Sequence, residues 1–229
     1  MTAPRMIGIE LCVFDAYGTL YDFNSAVARH RTAIGSNADA LAEMWRAKQI
    51  QYTWLRNSMG DYAPFWQVTG EALDHCLAAQ GIADRSVRER LMNAYLALDP
   101  FPEVPAMLDR LRRAGIRCAI LSNGNAEMLE PMVKASGLAG RFEAVLSVDA
   151  VGVFKVDPRT YALVEARCGV RPDKVCFLSS NCWDAHGAAR FGFNVVWINR
   201  AGAPDDNLPG RIAAQARDLS SLPDLLGVA

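Results

Sequence analysis

The sequence has no Cys-x-x-Cys pair among its six cysteines and almost no net charge, −1 at pH 7. The missing pair removes the paired-thiol motif. Cys12, Cys118 and Cys176 instead fall within strand-like runs, where free thiols behave as small hydrophobes. That usage fits a reducing compartment, so a cytoplasmic location is expected. Near-neutrality gives no support for a nucleic-acid or anionic-membrane partner. No apolar stretch reaches bilayer-spanning length. "MTAPRMIGIELCVFD" has a short apolar run but no h-region or small-residue cleavage site, so it reads as a first strand rather than a signal peptide. Internal repeats and low-complexity segments are also missing.

What is present is a composition with a real core, 51% hydrophobic and 21% charged. The runs "IELCVF", "RCAILS", "EAVLSV", "KVCFLS" and "NVVWIN" are each close to continuously apolar, as strands buried on both faces should be. "PEVPAMLDRLRRAG" precedes the second run and carries Val104, Leu108 and Leu111 at helical spacing. "AEMLEPMVKASG" follows the second run and "PRTYALVEARCG" the third. This alternation predicts βαβ crossovers and an α/β fold with a doubly wound, Rossmann-like parallel sheet. The rhythm breaks after the first strand. From Asp22 to Asp99 no strand is apparent, and "ALAEMWRAKQIQYTWLRNSM", "FWQVTGEALDHCLAAQG" and "SVRERLMNAYLAL" read as three amphipathic helices. The expected division is a core domain of residues 1–20 and 99–229 with a helical cap subdomain, 21–98, inserted after the first strand. Proline-rich "DPFPEVP" is the return linker.

Ligands bind outside the carboxyl ends of strands in such sheets. Asp15 follows the first strand, Ser122 and Asn123 the second, and Lys155 the third after a short loop. Ser179, Ser180, Asn181 and Asp184 follow the fourth. Any one of these is most simply a cap or turn residue. The coincidence of all four strand ends points to one polar rim.

"FDAYGTLYD", "LSNG", Lys155 and "SSNCWDAHGA" together resemble the four motifs of the haloacid dehalogenase superfamily of hydrolases, and "WRAKQIQYTWLRNSM" resembles the cap helix of its L-2-haloacid dehalogenase branch. The likeness runs nearly end to end. Phosphatases of the superfamily carry Asp-x-Asp and further acids that hold magnesium. Here the second position is Tyr17, and the fourth motif keeps only Asp184 as a carboxylate. The resemblance therefore implies displacement at carbon without metal or cofactor, with a magnesium-dependent phosphatase as the alternative.

It also implies roles. Asp15 is the nucleophile, Thr19 fixes its rotamer and Lys155 is its neighbouring cation. Arg46 accepts the halide, helped by Asn123. Ser122 and the backbone N–H groups of Ala16 and Tyr17 bind the substrate carboxylate. Ile50, Phe65 and Trp183 wall the pocket, and Tyr161 matches a position that contacts the site. Ser179, Asn181 and Asp184 orient the hydrolytic water or carry its proton. His186 reads either as an exposed helix residue or as a general base. Lys155 is usually followed by proline in this branch, whereas here Val156 follows and the proline is delayed to Pro158. The implied partners are a 2-haloalkanoate, water and a second copy of the chain. The apolar stripe Tyr52, Leu55, Met59 could serve that dimer contact or pack within the cap.

Overall fold

The computed structural model describes residues 6–228. β1 (Leu11–Phe14) leads into a short strand, β2 (Tyr21–Asp22). Helices α1 (Asn24–Ala28), α2 (Arg31–Ile34), α3 (Ala38–Met59), α4 (Phe65–Ala79) and α5 (Arg85–Tyr95) follow. The chain returns as β3 (Asp99–Pro100), antiparallel to β2. Strands and helices then alternate through α6 (Val104–Arg113), β4 (Arg117–Ser122), α7 (Ala126–Ala135), β5 (Ala144–Ser147), α8 (Pro158–Cys168), β6 (Val175–Ser179), α9 (Cys182–Phe191) and β7 (Asn194–Ile198). β8 (Ala214–Ala216) and α10 (Leu222–Leu225) close the chain.

β1, β4 to β8 form one sheet in the order β5-β4-β1-β6-β7-β8, every pair parallel. Alternate residues feed two cores. Cys12, Phe14, Ile120 and Leu178 pack on the face shared with α6 and α7, and Leu11, Val13, Leu121 and Phe177 on the face shared with α8 and α9. This is the doubly wound arrangement that the apolar runs predict.

Two strand readings change. β5 is an edge strand with Val145 37% exposed, so its apolar run is not buried on both faces. β8 escapes a reading of the sequence because it has only three residues, with exposed Gln215 at its centre. The three expected helices of the inserted segment are α3, α4 and α5. α3 ends where Gly60 takes φ 68° and its N–H reaches back to Arg56 and Asn57, a left-handed stop suited to glycine. Within the apolar stripe of α3, Tyr52 packs against the core while Leu55 and Met59 stay 43% and 71% exposed.

The delayed proline also finds its reason. Asp157 caps α8 by accepting from the Arg159 N–H, and Pro158 sits in the first turn, where a missing N–H costs nothing.

Candidate active site

The register of the central strands puts the polar tips level. Phe14 pairs with Ile120 on one side and Leu178 on the other, so Asp15 emerges beside the ends of β4 and β6. Its N–H still bonds to Leu178 O at 2.9 Å, which fixes the backbone while the carboxylate points beyond the sheet.

Asp15 is 5% exposed, and its carboxylate is held on both oxygens. Lys155 Nζ donates to Oδ1 at 3.1 Å, while Thr19 Oγ1 at 3.1 Å and Asn181 Nδ2 at 3.0 Å donate to Oδ2. Thr19 Oγ1 itself accepts from the Ser180 N–H at 2.8 Å, which leaves its proton for Asp15. Lys155 Nζ also lies 2.9 Å from Asp184 Oδ2, and Tyr161 Oη donates to Asp184 Oδ1 at 2.8 Å. Lys155 and Asp184 are 1% and 0% exposed, so this is a buried ion triplet. Burial works to lower the Lys155 pKa. The charges of Asp15 and Asp184 and their hydrogen bonds outweigh it, and the ammonium is held above its usual range. Burial, reinforced by the charge of Asp15, raises Asp184 against the opposing pull of Lys155 and Tyr161. A buried carboxylate with raised proton affinity suits general-base work. The Lys155 ammonium thus bridges the two carboxylates.

Tyr17, in the position of the missing acid, is 2% exposed. Its ring packs on Phe65 at 5.8 Å and Tyr95 at 5.4 Å, and burial pushes its pKa well up, so it stays neutral. Its hydroxyl has no hydrogen-bond partner among the described residues. The N–H groups of Ala16 and Tyr17 likewise find no acceptor among them. Asn123 Oδ1 accepts from the Lys155 N–H at 3.0 Å, which leaves its Nδ2 protons free of any described partner. Ser122 Oγ accepts from the Gly124 N–H at 3.0 Å. These donors surround Asp15 without neutralising each other.

Arg46 comes from α3. Its guanidinium donates to Asn181 Oδ1 at 3.2 Å and to Gln49 Oε1 at 2.7 Å, and lies 5.0 Å over the Phe23 ring. Asn181 thus links Arg46 to Asp15. Gln49, absent from the residues the sequence picks out, is 1% exposed and anchored through Thr69 Oγ1 and Tyr95 Oη. The available signal was a buried polar residue three places from Arg46 on the same helix face. Asn57 gives no such signal. It exchanges hydrogen bonds of 2.9 Å with both N–H and C=O of Phe154, tying α3 to the loop that carries Lys155. Ile50 is buried yet belongs to neither packed core cluster, and Phe65 is fully buried against Tyr17 and Phe154. Trp183 meets Trp54 edge to face at 5.5 Å, across the seam between α9 and α3.

Two expectations shift. Ser179 Oγ accepts from the Asn181 N–H at 3.2 Å and bonds to neither Asp15 nor Asp184, so its visible part is to shape the turn. His186 is neither exposed nor free to act as a base on the site. It is 5% exposed, and its ring nitrogens face Gly210 O at 2.9 Å and Asp205 Oδ1 at 2.8 Å.

Residues 9–192 match the family model described as haloacid dehalogenase-like hydrolase. The "(S)-2-haloacid dehalogenase 1" of Pseudomonas sp. (strain CBS-3) is 46% identical over 95% of this chain and 96% of its own length. Among solved structures, a dehalogenase with an intermediate complex superposes with a TM-score of 0.95 at 44% identity, covering 98% of this chain and all of its own. The L-2-haloacid dehalogenase from Xanthobacter autotrophicus with chloropropionic acid covalently bound gives 0.89 at 37% identity, over 96% of this chain and 98% of its own.

Proposed function

The chain belongs to the haloacid dehalogenase-like hydrolases, and on that premise we propose that it is an (S)-2-haloacid dehalogenase, converting L-2-haloalkanoates to D-2-hydroxyalkanoates. The observation that carries the reading is the Asp15 carboxylate, oriented by three donors and paired with an ammonium rather than a second acid.

The substrate carboxylate lies against Ser122 and the N–H groups of Ala16 and Tyr17. One oxygen of Asp15 attacks C2 from the side opposite the halogen. The C–O bond forms as the carbon–halogen bond breaks, so C2 inverts and halide leaves toward Arg46 and Asn123. A dry pocket walled by Ile50, Phe65 and Trp183 leaves the carboxylate less hydrated and the guanidinium's pull on the halide less screened. Gln49 keeps Arg46 aimed. Water then attacks Cγ of the Asp15 ester and gives up its proton to Asp184, with Asn181 and Tyr161 setting the water and its base in place and Ser179 holding the turn that carries Asn181. Asp184 returns that proton to the former ester oxygen, which departs with the product as its 2-hydroxyl, while the water oxygen stays on Asp15 and its second proton passes to solvent. Residues 21–98 act as the cap that shuts this pocket.

All six cysteines are free thiols, which supports a cytoplasmic setting, and exposed Trp54, Leu55 and Met59 on α3 support a homodimer contact there.

The test is free halide released from L-2-chloropropionate with EDTA present and the D-enantiomer as control. L-specific release that EDTA does not alter is expected. No release from either enantiomer, with p-nitrophenyl phosphate turned over once magnesium is added, overturns the reading in favour of the phosphatase.

A further inference from the structure

On α9, the helix that carries Asp184, a second constellation stands apart from the hydrogen bonds of Asp15. Cys182 and His186 stand four residues apart on one helix face, and Asp205 reaches them from the loop after β7. Cys182 Sγ, a ring nitrogen of His186 and a carboxylate oxygen of Asp205 all lie within 4.8 Å of one another. Around a tetrahedral zinc, with bonds of about 2.0–2.3 Å, ligand atoms sit roughly 3.5 Å apart. No pair need close by more than about one ångström, and Nε2 and Asp205 Oδ1, already 2.8 Å apart, open slightly to admit the ion.

The orientation of His186 is the stronger observation. Gly210 O can only accept a hydrogen bond, so Nδ1 carries a proton. That leaves Nε2 aimed at Asp205 Oδ1 at 2.8 Å, an oxygen that also accepts from the Asn207 N–H at 2.7 Å. Nε2 and a carboxylate oxygen thus converge on one point, as two ligands of one cation do. A histidine whose far nitrogen donates to a backbone carbonyl is oriented as metal-bound histidines are. The loop is built for that contact. Gly210 takes φ +115°, and a Cβ there would lie 2.4 Å from His186 O, so only glycine lets the carbonyl approach. Cys182 is 9% exposed and lines a cleft of about 490 Å³ with Asn181, Trp197, Pro204 and Asp206, which leaves a way in.

We propose that Cys182, His186 and Asp205 form a site for a zinc-class divalent transition metal, one thiolate, one imidazole and one carboxylate with a fourth position open to water. Loading replaces the thiol proton of Cys182 and the proton shared by His186 and Asp205, and both pass to solvent. The metal pins the loop after β7 to α9 and has no part in the reaction at Asp15.

The test is titration of EDTA-treated full-length protein with Co²⁺ and then Zn²⁺. The wild type binds one equivalent, shows a thiolate-to-cobalt charge-transfer band in the near ultraviolet, and melts at higher temperature with Zn²⁺ than in EDTA. Cys182→Ser loses the band. Asp205→Asn, whose side chain is 47% exposed, keeps the metal-free melting temperature and weakens binding roughly tenfold or more. Absence of the band in the wild type, or equal affinity in Asp205→Asn, overturns the proposal.

Discussion

At the scale of single residues, Lys155 decides how the site is charged. Without it Asp15 and Asp184 would be two buried carboxylates with no shared cation, an arrangement that costs about 3–5 kcal/mol when one partner of a buried ion pair is removed. Lys155→Met should therefore lower stability by that order and kcat by roughly a hundredfold or more. The pH dependence has a definite sign. The ammonium is raised in the folded state from an ordinary value of 10.5, so its stabilisation is fully present below that value and is lost as pH rises through the higher folded one. Melting temperatures of wild type and Lys155→Met should run parallel from about pH 7 to about pH 10 and converge only above the ordinary lysine range. Convergence already at neutral pH would mean that Lys155 is not the group that neutralises the pair. Sequence alone carried Asp15, Lys155 and Asp184 because each follows a strand whose apolar run is plain. Gln49 and Asn57 were not legible in that way. Their importance lies in what they touch across space, Arg46 for one and the Phe154 backbone for the other.

At the scale of elements, the site depends on how closely α8 and α9 approach. Tyr161 on α8 reaches Asp184 on α9 past Gly187, where a Cβ would lie 2.6 Å from Tyr161 Oη and 2.7 Å from Val156 Cγ1. Helix propensity alone favours alanine over glycine by about 1 kcal/mol, so the glycine marks a steric demand that outweighs it. Gly187→Ala should push Tyr161 off Asp184 and disturb the residue after Lys155. A displacement of about 1 Å is enough to cost on the order of a hundredfold in kcat, with KM for the haloacid changed far less. Steady-state kinetics separate the two, and an unchanged kcat would show that the Tyr161–Asp184 bond is dispensable. The same elements show where the sequence was readable and where it was not. β4, β6 and β7 are nearly continuous apolar runs because helices cover both faces. β8 is a short edge with a polar centre and has no such signature. His186 was misread because its partners come from a loop whose path the sequence does not announce.

At the scale of the molecule, the inserted helices and the sheet share one core. Rings run in an unbroken line across the seam, from Trp45 to Tyr95, Tyr17, Phe65, Phe154 and Tyr62, with successive centroids 4.8 to 6.1 Å apart. Asn57 adds its reciprocal pair to Phe154, and Asn125 Oδ1 accepts from the Trp66 N–H, tying the start of α4 to the tip of β4. Replacing the second acid with Tyr17 thus does more than remove a metal ligand. It places at the centre of the seam a ring that belongs to both lobes. The inserted helices α3 to α5 should then have little stability of their own and melt with the sheet. Trp45, Trp54 and Trp66 report from the inserted helices, and far-ultraviolet dichroism reports the whole chain. In urea, tryptophan fluorescence and dichroism should trace one coincident transition. Leu41→Ala, a cap substitution at a fully buried position, should move both midpoints together by about 2–5 kcal/mol of stability. A fluorescence transition that precedes the dichroism would instead mean that the cap opens as a separate unit, with the aromatic line broken at Tyr17.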